Sequence, residues 1–169
     1  MSEVLSFILG FFMAFMILLT TLYAFGQINS SARELSAEAQ GRDVANRVAL
    51  GVQEAFAVAS ARNDTQASIV SSAIRYNRTV DVPNLLQGWR YNLTLDANFV
   101  NVTVRAGRPL QASVPTFNAA VELPAVGSCP PNIILCRITG AAEAVDSRLV
   151  VSYAFNATSA PLLNEITLT

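Results

Sequence analysis

Histidine and lysine are both absent from this chain of 169 residues. Without them it lacks the commonest general base, the commonest metal ligand and the amine of Schiff-base chemistry. Isolated serines, aspartates and glutamates remain, but no motif gathers them, and there is no glycine-rich phosphate loop or acidic metal loop. These absences argue against an enzyme, and no cofactor or metal is expected. Charge is scarce as well: 14 % of residues are charged and the net charge is −1. With no basic stripe to neutralise phosphates, nucleic acid is not expected as a main partner. All eleven basic residues are arginine, a bias that carries little weight as a mark of a hot habitat. Cysteine is limited to Cys129 and Cys136 in SCPPNIILC, a poor zinc site without histidine. The pair is either two buried free thiols or a disulfide closing a short loop, and the compartment decides between them.

The longest absence is at the start. From Val4 to Ala32 there is no charged residue, enough chain to cross a bilayer. No Arg or Lys precedes this segment, while Arg33, Arg42 and Arg47 follow it. By the positive-inside rule those arginines would hold the rest of the chain in the cytoplasm.

The rest of the chain points the other way. Asn-x-Ser/Thr triplets occur at Asn29, Asn63, Asn77, Asn92, Asn101 and Asn156. Twelve Asn among 25 Ser and Thr would give roughly two such sequons by chance. Five of the six carry Thr. In WRYNLTL, Trp89, Tyr91, Leu93 and Leu95 alternate with Arg90, Asn92 and Thr94. In VNVTVRAG, Val100, Val102 and Val104 alternate with Asn101, Thr103 and Arg105. In RLVVSYAFN, Leu149, Val151, Tyr153 and Phe155 share a face that Asn156 does not. Period two sets each asparagine on the solvent side of a strand, where a sugar has room. N-glycosylation at Asn63, Asn77, Asn92, Asn101 and Asn156 is therefore expected, and with it an extracellular domain. In that compartment the Cys129–Cys136 disulfide is the expected state.

The apolar segment does not end in a turn. Ile28, Ala32, Leu35, Ala39, Val44, Val48, Val52, Phe56 and Ala59 recur mostly every four residues, with most charges off that stripe. No proline occurs before Pro83, and the first strong stop is RNDT at Arg62–Thr65. One helix over residues 3–61 is expected, on the order of 90 Å long. Gly10, Gly26, Gly41 and Gly51 mark close contacts or local unwinding within it. From about Ala67 the period changes to two. Candidate strands are Ser68–Tyr76, Trp89–Leu95, Phe99–Ala106, Leu110–Val114, Ala119–Leu123, Ile133–Gly140, Arg148–Phe155 and Glu165–Leu168. Asp96–Asn98 is a short hairpin connection. The expected fold is α+β: a helical segment 1–62, then an antiparallel β-sandwich or small barrel over 63–169.

SEVLSFILGFFMAFMILLTTLYAFGQI, the helix continuing through LSAEAQGRDVANRVALGVQEAFAVA, and the sequon-rich β region together resemble an archaeal type IV pilin, an architecture shared with archaeal flagellins. The resemblance covers the layout of the whole chain and rests on pattern, with no invariant motif. It implies a structural subunit of a helical homopolymer on the cell surface, used for adhesion. In such a filament the apolar helices bundle in the core, and Phe7, Phe11, Phe12, Phe15, Leu18, Leu19, Leu22 and Phe25 would pack there. Asn29, at the end of that segment, is expected to be bare.

The resemblance also implies a membrane-inserted stage before assembly, a leader peptidase and a pilus assembly machinery as partners. A basic leader ahead of Met1, removed by processing, would resolve the orientation conflict; no such leader is in this sequence. Bacterial relatives carry an acidic residue near the mature N-terminus that pairs with a neighbour's amine. Glu3 is the candidate for that part, at a different offset, the alternative being a partnerless surface residue. Within filaments, a motility-filament subunit, a stator protein and a minor pilin are the alternatives. From another class, a monomeric single-pass surface receptor or adhesin would predict a basic cytoplasmic flank.

Overall fold

The computed structural model describes residues 2–65, 74–105, 109–117, 137–143, 148–156 and 163–169. Helix α1 runs from Ser2 to Thr65 without a break. It passes through the turn-forming Arg62-Asn63-Asp64 and stops at Thr65, so the stop signal occupies its last turn. Two ion pairs of (i, i+4) type brace its surface, Glu38–Arg42 and Asp43–Arg47, each at 2.8 Å. In both the acid is N-terminal to the base, the favourable order, and such exposed pairs contribute about 0.3–0.5 kcal/mol each. The chain divides into two compact units, Met1–Ser36 and Ala37–Thr169.

The strands are β1 (Ile74–Asp81), β2 (Tyr91–Leu95), β3 (Phe99–Arg105), β4 (Pro109–Pro115), β5 (Arg137–Glu143), β6 (Arg148–Asn156) and β7 (Leu163–Leu168). They form one seven-stranded sheet in the order β1-β6-β7-β5-β2-β3-β4. Every pairing is antiparallel except β5 with β7. The fold is thus α+β, as expected. Among the described residues there is one open sheet rather than a sandwich or a closed barrel, and the layer over its buried face is the second half of α1. Strand periodicity reports that one face is covered without reporting what covers it.

The covering face of α1 is made of small residues. Ala37, Gly41, Val44, Ala45, Val48, Ala49, Gly51, Val52, Ala55 and Ala59 are buried, at helical spacing. A Cβ on Gly41 would meet Ala112, Val102 and Leu86 at 3.5–3.8 Å, and one on Gly51 would meet Val80 and Val151 at 3.2 and 3.4 Å. Both glycines are therefore points where helix backbone and sheet approach closely, while α1 stays helical through all four of its glycines. The expected apolar stripe is only partly the buried one. Val44, Val48, Val52 and Ala59 are buried and Phe56 is half-buried, whereas Ile28, Ala32, Leu35 and Ala39 are exposed. A strict four-residue repeat drifts around a helix of 3.6 residues per turn, so a stripe drawn through it leaves the contact face. Phe56 packs edge-on to Phe117 at 5.0 Å, and the Gln53 amide donates to the Thr116 carbonyl at 2.7 Å.

The strand faces agree with the alternation. Tyr91, Leu93 and Leu95, Val100, Val102 and Val104, and Leu149, Val151, Tyr153 and Phe155 are all buried. Two strands run further than expected: β1 (Ile74–Asp81) continues past Tyr76, the expected end of Ser68–Tyr76, and β5 (Arg137–Glu143) past Gly140, the expected end of Ile133–Gly140; residues 68–73 and 133–136 lie outside the described residues. The expected strand Ala119–Leu123 lies outside the described residues. A tight turn at Leu86–Trp89 was not anticipated. Gln87 and Gly88 both have positive φ, 51° and 85°, and Leu86 and Trp89 exchange two backbone hydrogen bonds of 2.9 Å. This is the two-residue hairpin geometry that favours glycine at its second position.

Tyr91 lies at the centre of the core with its hydroxyl donating to the Pro83 carbonyl. Burial pushes its phenol up to about 12 from the usual 10.0. The neutral form is the one the fold accommodates, so its contribution is full below the unfolded-state value and is lost as pH climbs from about 10 to 12. We expect thermal stability to fall across that window, and the fall to be smaller in Tyr91→Phe, which has no phenol to ionise at that site. Melting curves from pH 9 to 12 check this; identical pH dependence in the two proteins would contradict it.

Candidate assembly helix

The apolar segment of α1 lies in the unit Met1–Ser36, and its large side chains are exposed. The eight side chains expected to pack in a core, Phe7, Phe11, Phe12, Phe15, Leu18, Leu19, Leu22 and Phe25, are all exposed, from 46 % at Leu19 to 77 % at Phe7. Val4, Leu5, Ile8, Leu9, Ile17 and Ile28 are exposed as well. Soluble surfaces carry scattered apolar residues, but a contiguous apolar stretch of this size marks a contact surface or a membrane segment. The helix is long and apolar enough to cross a membrane, with a window of mean hydropathy 2.4.

Several polar side chains inside the segment find partners within the helix itself. Thr20 donates to the Met16 and Ile17 carbonyls at 2.9 Å, and Thr21 to the Ile17 carbonyl at 2.7 Å. The Gln27 amide reaches the Tyr23 hydroxyl at 3.1 Å. A helix also pairs its own backbone groups, so this segment can leave water, for lipid or for a dry protein interior, with the two threonine hydroxyls already paired. Phe11 and Phe15 stack with ring centres 6.5 Å apart. Glu3 lies exposed in the first turn, where a negative charge favours the positive end of the helix.

Placement separates the sequons. Asn29 is exposed on α1, and Asn77 is exposed on β1, an edge strand of the sheet. Asn92 and Asn101 are half-buried on β2 and β3, on the face turned away from α1. Asn63 falls in the last turn of α1, and Asn156 ends β6 opposite Leu163. Cys129 and Cys136 lie outside the described residues. Two of the sequons are paired across strands, a relation that the triplets taken one by one do not show. The signal was present: a hairpin centred between Leu95 and Val100 sets Asn92 against Thr103 and Thr94 against Asn101.

The second half of α1 carries charge, but the charges are matched locally. A cleft of ≈ 550 Å³ is lined by Gln40, Asp43, Arg47, Asp81 and Arg148, among others. Within it Arg47 pairs with Asp43 at 2.8 Å and Arg148 approaches Asp81 at 4.0 Å. A neighbouring cleft holds the Arg78–Glu54 pair at 3.2 Å. In both clefts the arginines thus stand beside carboxylates. Among the described residues no group of three or more His, Cys, Asp or Glu comes together as a metal site would require. Compared with protein-family models, curated proteins and solved structures, the chain matches none of them. The long apolar N-terminal helix followed by a sheet is nevertheless a pilin-like layout.

Proposed function

We propose that this chain is the structural subunit of an extracellular helical filament of the archaeal type IV pilus kind, serving surface attachment. Its monomers would wait in the membrane through residues 4–28 and then assemble by bundling those helices. The observation that carries this reading is an apolar helical segment with exposed side chains that continues, within the same helix, into a small-residue face on which a β-sheet is seated. One element thereby offers an assembly surface and holds the outer domain. Burying a single large aliphatic or aromatic side chain stabilises by roughly 1.5–3 kcal/mol, so the exposed segment has a strong drive to leave water. A contact repeated head-to-tail that does not close on itself produces an open polymer.

Fractionation separates this reading from a monomeric membrane anchor. Shearing the surface of producing cells is expected to release the chain in a form that sediments at high speed without detergent. A monomeric receptor or adhesin would stay with the membranes and come out only with detergent, as single copies.

A further inference from the structure

Strands β2 and β3 place two sequons in a reciprocal arrangement. Asn92 pairs with Thr103, and Thr94 pairs with Asn101. Each acceptor asparagine therefore stands directly opposite the recognition threonine of the other sequon. Residues directly opposite share a face, with Cβ atoms about 4.5–5.5 Å apart, close to the spacing of the strands themselves. The face is flanked by Ala141 beside Thr94 and Ser113 beside Asn101, and by Glu143 beside Asn92 and Gln111 beside Thr103.

We propose that the two sequons form one composite modification site that accepts a single N-linked glycan, on Asn101 in the wild-type protein. The proposal rests on the extracellular reading above. A sugar on either asparagine covers the hydroxyl that must be read before the other can be modified, because a sequon needs its Ser or Thr two residues on. Modification is thus self-limiting once the hairpin has formed. Asn101 is the preferred acceptor for two reasons. Its strand neighbours, Thr94 and Ser113, are small and exposed, and β3 lies next to the edge strand β4. Asn92 is on an inner strand between β5 and β3, and its Oδ1 is buried with no hydrogen-bond partner. An unpaired buried carboxamide oxygen costs stability rather than adding to it.

The test uses one peptide. Trypsin cuts after Arg90 and Arg105 and leaves Tyr91–Arg105, with both sequons and no internal Arg or Lys. Glycopeptide mass spectrometry with electron-based fragmentation, on full-length protein from its producing cells, is expected to find this peptide with one glycan, on Asn101. In Asn101→Gln the glycan is expected to shift to Asn92, whereas Asn92→Gln is expected to leave occupancy of Asn101 unchanged. A doubly glycosylated peptide would overturn the proposal and leave the extracellular reading standing. So would a bare peptide from a protein glycosylated at Asn77. A chain bare at every sequon would remove the glycan reading and this proposal together.

Discussion

Leu18→Arg is expected to abolish filaments while leaving the β domain folded. Leu18 is exposed in the single chain and sits midway along the apolar segment. In a bundle of such segments it would face only other apolar side chains, and no acidic residue lies between Val4 and Ala32 to pair with an introduced cation. An unpaired charge in a dry interior costs far more than one leucine contact contributes. In a filament that cost recurs at every subunit. In a bilayer the same arginine costs only about 2.5–3.5 kcal/mol on insertion scales, because a single helix can thin the lipid or draw water to the charge. The variant should therefore still insert in the membrane and fail at assembly. Phe15→Asp should behave in the same way. Thr94→Asp, an exposed change on the β2 face turned away from α1, should assemble normally even though it destroys the Asn92 sequon. The readout is the fraction of protein in the sheared, sedimenting pool. Near wild-type recovery of Leu18→Arg in that pool would show that the segment is not a packed core.

A second large effect is expected from Gly140→Val. Gly140 pairs with Leu95 on one side and with Leu168 on the other. A Cβ added there would lie 2.6 Å from the backbone nitrogen, backbone oxygen and Cβ of Leu168. Side chains can rotate away from such a contact, but backbone cannot, and Leu168 is itself held by Val151 of β6. The substitution must therefore pull β5 from β7 or distort both, and we expect a loss of about 3 kcal/mol or more, the upper end for overpacking. Gly41→Ala is the control. Its Cβ would meet only ordinary contacts at 3.5–3.8 Å, and the gain in helix propensity, about 1 kcal/mol, should make that variant as stable as the parent or more so. Chemical unfolding of the full chain in detergent, followed by the tyrosine and tryptophan signals, ranks the three proteins. Equal midpoints for Gly140→Val and the parent would contradict the close approach.

These two positions also mark where the sequence could be read and where it could not. The apolar segment was legible because nothing interrupts it, and burial in β2, β3 and β6 was legible because alternation is a local signal. The close approach at Gly140 was not, since it depends on β7, which joins β5 in parallel from a distant part of the chain. The same limit accounts for the single sheet among the described residues: the second half of α1 reads as alanine-rich and Gly41 as a close contact, but which strands meet it, at Ala112 and Val102, is set by the tertiary fold. It explains β1 as well. Its run past Tyr76 to Asp81 follows its pairing with β6, Thr79 opposite Val150 and Asp81 opposite Arg148, and not its own composition. The paired sequons were within reach of the sequence, because the hairpin and both faces had been identified and only the register had to be counted.

Electron cryomicroscopy of material sheared from producing cells tests the central claim most directly. The account predicts filaments whose axis is filled by α-helical density, with residues 4–28 of each copy packed against the same residues of other copies and the β domains outside. Phe7, Phe11, Phe15 and Leu18, all exposed in the single chain, should have no access to solvent there. Sheared material without filaments containing this chain, or filaments with residues 4–28 facing solvent, would contradict it.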